Sequence, residues 1–199
     1  MIRVLFICHG NICRSPMAQY VLQDMVEKRG IADQFYIDSA ATSTEEIGNG
    51  VHPGTRRKLR EEGIYCGDHR ARQLRREDYD RYDYILGMDQ WNLRNMKRML
   101  REDPEHKIGL LLDFTGHPRD IADPWYTGDF DATYEDVREG CEALLEYLQK
   151  NVENESKNAK FAENRISEIP ERIAKESIEK PPPQENLPRG LCYLRKDFR

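Results

Sequence analysis

The sequence predicts an α/β fold, a parallel sheet with helices on both faces, and three observations carry the prediction. Short apolar segments alternate with stretches of helical periodicity along residues 1–150, which is the pattern of strand–helix–strand units. The first apolar segment runs straight into Cys8-His9-Gly10-Asn11-Ile12-Cys13-Arg14-Ser15-Pro16, a tight turn from the end of a strand to the start of a helix. With 38% hydrophobic and 34% charged residues, the chain can pack a core while leaving some of its length outside.

Each element has a local reason. Arg3–Ile7 (RVLFI) is a short apolar run of the kind that forms a buried strand. Ser15 at the N-cap and Pro16 at the first helical position then open a helix. Met17, Ala18, Val21, Leu22, Met25 and Val26 follow at helical spacing, and Gly30 closes it. Phe35–Ala40 reads as the second strand and Pro53–Glu62 as a short helix ended by Gly63. Tyr82–Met88 is the third strand, Asp89 caps a helix that runs to Leu100, and Lys107–Phe114 is the fourth strand. Asp123-Pro124 reads as a loop, because a residue before proline is pushed to extended backbone. Thr133–Lys150 is a closing amphipathic helix with Val137, Cys141, Leu144, Leu145 and Leu148 on one face. In sheets of this type ligands bind beyond the carboxyl ends of the strands.

Composition narrows the function classes. The chain has 199 residues and a net charge of −5, so it has no bulk attraction to nucleic acid or to an anionic membrane, and neither is expected as a partner. Five cysteines, an odd number, argue against a disulfide scaffold. No run of about eighteen apolar residues exists, so no transmembrane helix is expected. The N-terminal apolar run is too short for a signal-peptide core. A cytoplasmic protein with reduced thiols is the expectation. From residue 151 the composition changes. Residues 151–199 are rich in charge and carry the run Pro181, Pro182, Pro183, and are expected to be a disordered or weakly helical tail. A weak helix over Asn154–Lys180 would be interrupted by Pro170.

The loop after strand one is the chemical centre. Cys8 stands where the strand stops, beneath backbone N–H groups that can converge on an anion. Gly10 permits close backbone approach, and Asn11 tolerates the left-handed region. Arg14 closes the loop with a fork that can hold two oxygens of a phosphate. The fork and the aligned amides both favour a thiolate at Cys8, and a thiolate facing a bound phosphate is a nucleophile facing an electrophile. A second element, Asp123-Pro124-Trp125-Tyr126, supplies an acid between aromatic walls. Alone this segment reads as an ordinary Asp-Pro turn with two aromatic residues packing on the core; beside a phosphate loop the same carboxyl can give a proton to a leaving oxygen. The five histidines show no metal-ligand spacing, and neither metal nor cofactor is expected. The run Arg70, Arg72, Arg75, Arg76 reads as a solvated basic face.

CHGNICRSP from Cys8 resembles the signature of the low-molecular-weight protein tyrosine phosphatases. The similarity continues with DSAAT at Asp38–Thr42, the segment around His69, YDYILGMDQWNL at Tyr82–Leu93 and ADPWY at Ala122–Tyr126. It covers residues 1–150, which become the catalytic domain, and implies a four-stranded parallel sheet flanked by helices. It implies a metal-independent hydrolase that acts through a phosphocysteine, with tyrosine-phosphorylated proteins, a tyrosine kinase among them, as partners. It further implies Cys8 as nucleophile, Arg14 as phosphate clamp and Asp123 as acid, then base. His9, Gly10, Asn11, Ile12, Cys13, Ser15, Ser39 and His69 bind phosphate or hold the loop, and Trp125 and Tyr126 wall the substrate. Ser15 would also help the thiolate leave in the second step. The resemblance also makes Cys13 a reversible disulfide partner of Cys8; chemically, a neighbouring thiol traps a sulfenic acid before over-oxidation. No partner is evident for Cys66, Cys141 or Cys192.

Three rivals use similar architecture, and one of them, a phosphocysteine carrier subunit of sugar transport, needs neither Arg14 nor an acid loop. An arsenate reductase needs two further cysteines close together after about residue 65, and only Cys66 lies there. A protein-arginine phosphatase is associated with threonine where this chain has Ile12, whose bulk favours a flat phenyl ring. Glu45 falls where animal members of the family often carry an aromatic residue. An acid at that wall disfavours acidic sequence beside the phosphotyrosine.

Overall fold

The computed structural model describes residues 1–151. The expected tail, its helix over 154–180 and Cys192 lie outside the described residues. Four parallel strands form one sheet in the order β2-β1-β3-β4. They are β1 (Ile2–Cys8), β2 (Phe35–Ala41), β3 (Tyr84–Gly87) and β4 (Ile108–Leu110). Helices α1 (Arg14–Lys28), α2 (Pro53–Glu61), α3 (Asp78–Arg81), α4 (Gln90–Leu100) and α5 (Pro124–Thr127) connect them. A last helix, α6, covers residues 130–151.

The central strand explains the architecture. Alternate residues of β1 face opposite sides. Val4, Phe6 and Cys8 pack into a core with Met17, Val21 and Leu22 of α1 and Val137, Cys141 and Leu144 of α6. Leu5 and Ile7 pack on the other face with Ile85, Met96 and Leu100. All five side chains are buried, which is why the run reads as continuously apolar rather than alternating. The chain leaves β1 to build β2 on one side and later returns to build β3 on the other. The carboxyl end of β1 is therefore the topological switch point, where a crevice opens for a ligand.

Several boundaries differ from the sequence reading, each for a physical reason. The fourth strand is only Ile108–Leu110, and Leu111–Phe114 is a single 3-10 turn. Leu111 and Leu112 are fully buried in that turn, and an apolar run does not by itself distinguish strand from turn. The Asp113 carboxylate accepts from Leu110 N at 3.0 Å and folds the chain back. The third strand is shorter than Tyr82–Met88 because Tyr82 turns its hydroxyl to Asp38 instead. The closing helix starts at 130, earlier than Thr133, because Asp129 caps it by accepting from Ala132 N at 2.8 Å. Asp123–Tyr126 is not a plain loop. Asp123 caps the one-turn helix α5, accepting from Trp125 N at 3.1 Å, and Gly128 closes it with a φ of 71°. Helix α3 had no signal in the sequence reading.

Helix α1 also begins differently. Cys13 is its N-cap and Arg14 its first residue, so Ser15 and Pro16 sit inside the first turn. No side chain caps the helix. Proline is tolerated there because the first-turn amides lack intrahelical partners. The Ser15 hydroxyl, not used as a cap, is available to the site.

Candidate active site

The loop from Cys8 to Arg14 is shaped by where its carbonyls go. Cys8 O accepts from Thr42 N at 2.9 Å, His9 O from Ser43 N at 3.0 Å and Ile12 O from His52 N at 2.9 Å. Asn11 O receives His69 Nε2 at 2.7 Å. Cys13 O accepts from Met17 N at 3.2 Å. In a trans peptide the C=O and the following N–H point opposite ways. Five carbonyls held outward therefore turn the amides of His9, Gly10, Ile12, Cys13 and Arg14 toward the loop's interior, where the amino end of α1 adds its dipole. Such a cradle matches an oxyanion.

Asn11 is the hub that holds this shape. It is fully buried with a φ of 58°, the left-handed conformation its type tolerates. Its backbone N–H donates to Cys8 Sγ at 3.2 Å. Its side-chain Nδ2 donates to Ser15 Oγ at 2.9 Å and Ser39 Oγ at 2.8 Å. Its Oδ1 accepts from Arg72 N at 3.1 Å. Ser39 in turn donates to Gln19 Oε1 at 2.6 Å. Cys8 Sγ also lies 3.1 Å from Ser15 Oγ. A carbonyl only accepts, so His69 carries its proton on Nε2. Burial pushes the pKa of His69 below its ordinary value, against the pull of its bond to Asn11.

Arg14 is 2% exposed and fully engaged at its tips. Nη1 donates to Asp89 Oδ2 at 2.6 Å and Ile121 O at 3.0 Å, and Nη2 to Asp123 Oδ2 at 2.5 Å. Burial opposes its charge, but Cys8, Asp123 and Asp89 outweigh it and raise its pKa above the usual value. Its Nε is buried with no hydrogen-bond partner. A buried orphan donor on a guanidinium is costly, and a phosphate oxygen is the acceptor that suits it. Asp89, read as a helix cap, is that and more. Oδ1 accepts from Asn92 N at 2.6 Å while Oδ2 holds Arg14.

The pocket over this loop is lined by Cys8, His9, Gly10, Ile12 and Cys13 on the floor and by Glu45, Glu46, Asp123, Trp125 and Tyr126 on the walls. His9 does not turn its ring inward; its Nε2 meets exposed Glu45 at 3.0 Å on the rim. Burial, then the neighbouring Cys8 and Asp123 charges, push the Cys13 thiol up to about 12. Among the described residues Cys8, Cys13, Cys66 and Cys141 are free thiols, and no cluster of three or more His, Cys, Asp or Glu has the arrangement of a metal site.

The model of the family "Low molecular weight phosphotyrosine protein phosphatase" matches residues 3–154. The chain belongs to this family. The low molecular weight protein-tyrosine-phosphatase YfkJ of Bacillus subtilis is 41% identical over 152 residues, 75% of this chain and 97% of that one. Its crystal structure matches with a TM-score of 0.74 at 40% identity, covering 76% of this chain and 96% of the other. A low molecular weight phosphotyrosine protein phosphatase of Rattus norvegicus is 40% identical over 148 residues, 72% and 93% of the two chains. A Drosophila arginine phosphatase is similar at 33% identity with a TM-score of 0.69, covering 74% and 98%.

In this low molecular weight phosphatase scaffold the fold brings all the candidate residues to the end of β1, apart from the ring of His9. It also recruits residues the sequence reading passed over. Arg72, assigned to a solvated face, is instead the centre of a half-buried ion network. Its Nε and Nη2 donate to Asp38 Oδ2 at 3.2 and 2.9 Å, and Nη1 to Asp78 Oδ2 at 3.0 Å. Tyr82 donates to the same Asp38 oxygen at 2.9 Å. Burial opposes the Arg72 charge, yet the two carboxylates raise its pKa above the usual value. His52, one of the histidines without metal-ligand spacing, has a packing task. Its ring stacks on Phe130 at 5.3 Å and meets Trp125 edge-on at 5.7 Å, while its backbone N–H donates to Ile12 O at 2.9 Å, so it ties the Asp123 segment to the Cys8 loop. Gly54 permits this: a Cβ there would stand 2.4 Å from the Phe130 ring. Among the described residues no helix is long and apolar enough to cross a membrane.

Proposed function

We propose that this chain is a protein tyrosine phosphatase that transfers the phosphoryl group of phosphotyrosine to Cys8 and then to water. The carrying observation is the Cys8 sulfur set under inward amides, 3.1 Å from the Ser15 hydroxyl, beside an Arg14 whose Nε has no partner. In the first step the Cys8 thiolate attacks phosphorus, an S–P bond forms and the P–O bond to tyrosine breaks. Asp123 gives its proton to the departing phenolate oxygen. The loop amides and the unpartnered Arg14 Nε hold the equatorial oxygens, joined by Nη2 as Asp123, protonated, turns from it to the leaving oxygen. In the second step water attacks phosphorus and Asp123 takes its proton. The S–P bond breaks, and the Ser15 O–H donates to the returning thiolate.

The residue roles divide accordingly. Cys8, Arg14 and Asp123 do the chemistry. His9, Gly10, Ile12 and Cys13 contribute backbone amides; Asn11, Ser15, Ser39 and His69 hold the loop; Trp125 and Tyr126 wall the ring. Ile12, 8% exposed on the pocket floor, supports a flat phenyl over a guanidinium substituent. Cys13 is a redox partner: a Cys8 sulfenic acid formed by peroxide condenses with the Cys13 thiol to a disulfide and water. The substrates are tyrosine-phosphorylated proteins of the cytoplasm, a tyrosine kinase among them.

The test is side-by-side hydrolysis of p-nitrophenyl phosphate, a phosphotyrosine peptide and phosphoarginine, with a chelator present. Turnover of the first two, undiminished by the chelator and faster than phosphoarginine, is expected. Preference for phosphoarginine, or loss of activity with the chelator, would refute the reading.

A further inference from the structure

A second concavity opens on the far side of Asp123, between α4 and α5. Its volume is about 510 Å³, against about 120 Å³ for the pocket over Cys8. The two share His9, Asp123 and Tyr126, so one leads into the other across the rim. Trp91, Asn92 and Asn95 line it from α4, and the buried Arg14 and its half-buried partner Asp89 complete the lining.

Trp91 has no task in the fold or the chemistry described above. It is 69% exposed on the first turn of α4, and Tyr126, which lines the same groove, is 82% exposed. The Arg94 guanidinium lies 4.4 Å from the centre of the indole, which holds the ring against one face. Two large exposed aromatic residues lining one groove form a contact surface of the kind that binds side chains.

What reaches the groove follows from the pocket. A phosphotyrosine seated on Cys8 is part of a polypeptide, and its backbone must leave over the rim. On that rim stand Glu45 and Glu46, both acidic, and Tyr126, which also lines this groove. We propose that the groove is a substrate subsite that takes an aromatic or branched apolar side chain flanking the phosphotyrosine, held between Trp91 and Tyr126. The assignment rests on the phosphotyrosine reading of the Cys8 pocket and adds to it a class of peptide sequence.

The test uses the full chain and phosphotyrosine peptides of one length. These carry Phe, Leu or Gly at each of the two positions on either side of the phosphotyrosine. At one of these positions an apolar residue should raise kcat/KM over glycine by about three- to tenfold, the worth of an aromatic contact, and chiefly through KM. In Trp91→Ala that ratio should fall to near one, and Trp91→Phe should restore most of it. No apolar preference in the wild type, or the same preference in Trp91→Ala, overturns the subsite while glycine-flanked turnover leaves the phosphatase reading standing. Failure on every phosphotyrosine peptide, glycine-flanked ones included, overturns both. A wild-type dimer that Trp91→Ala dissociates would assign the face to a second copy of the chain and overturn the subsite.

Discussion

Replacing Arg72 by methionine keeps the length of the side chain and removes its charge. The loss can be worked from the contacts. Asp38 keeps the Tyr82 hydroxyl at 2.9 Å, but Asp78, with a side chain only 3% exposed, keeps only Arg75 N at 2.8 Å. Stranding one partner of a buried ion pair costs about 3–5 kcal/mol. Arg72 itself is 30% exposed, which places the expected loss at the lower end, about 3 kcal/mol. Most of it belongs to the stranded Asp78 charge. Asp78→Asn in the same background should therefore recover at least about 1 kcal/mol. Activity should fall as well: the backbone N–H of residue 72, which braces Asn11 Oδ1 at 3.1 Å, survives the substitution, but the ion pairs that fix the segment carrying it do not, and a loosened loop misplaces the reacting atoms. A roughly tenfold loss of kcat is expected, within what sub-ångström misplacement produces. Urea denaturation gives the stability, and kcat on an aryl phosphate at a temperature where the variant is folded gives the rest. A destabilisation below about 1 kcal/mol, the worth of a surface pair, would show that Arg72 is the solvated residue its sequence context suggests.

Three further outcomes follow from the site. Burial lowers the pKa of His69 below its ordinary 6.5, so the unfolded chain binds this proton more readily. Stability should fall as pH drops below about 6.5 until the folded-state value is passed, and His69→Asn should flatten that slope in urea titrations across pH 4–7. Hydrogen peroxide should inactivate the wild type reversibly by a thiol reductant; Cys13→Ser should lose most of the recoverable activity, and equal recovery would remove Cys13 from the redox reading. Asp123→Asn should slow single-turnover phosphoryl transfer from phosphotyrosine by roughly 10²–10⁴ and from aryl phosphates of acidic leaving groups far less. Leaving-group dependences of equal slope in wild type and variant would take the acid role from Asp123.

Local signals carried most of the fold and the nucleophile's loop. β1 was legible because it is apolar on both faces, and the turn after it because Gly10, Asn11 and Arg14 each have a narrow conformational or chemical use. Asp89 was legible as a cap because that bond, to Asn92 N, is three residues away. Its second bond, to Arg14, spans 75 positions and leaves no local trace. Arg72 was misread for the same reason: its partner Asp38 is 34 residues away, while its neighbours Arg70 and Arg75 suggest a basic surface. Ser15 has the composition of a cap, but tertiary contacts with Cys8 and Asn11 take its hydroxyl. The fourth strand was overlong because burial of Leu111 and Leu112 against the rest of the core produces the same apolar run as a strand.

The central claim is that the phosphoryl group passes through the Cys8 sulfur. It is tested most directly by mixing the enzyme with a labelled aryl phosphate of acidic leaving group, which needs little help from Asp123 in the first step, quenching within one turnover, and mapping the label by mass spectrometry. Asp123→Asn, in which water lacks its base in the second step, should accumulate the intermediate. The account predicts near-stoichiometric label on the peptide containing Cys8, on sulfur, and none in Cys8→Ser. Label on a histidine, or turnover by Cys8→Ser at a rate comparable to the wild type, would contradict it.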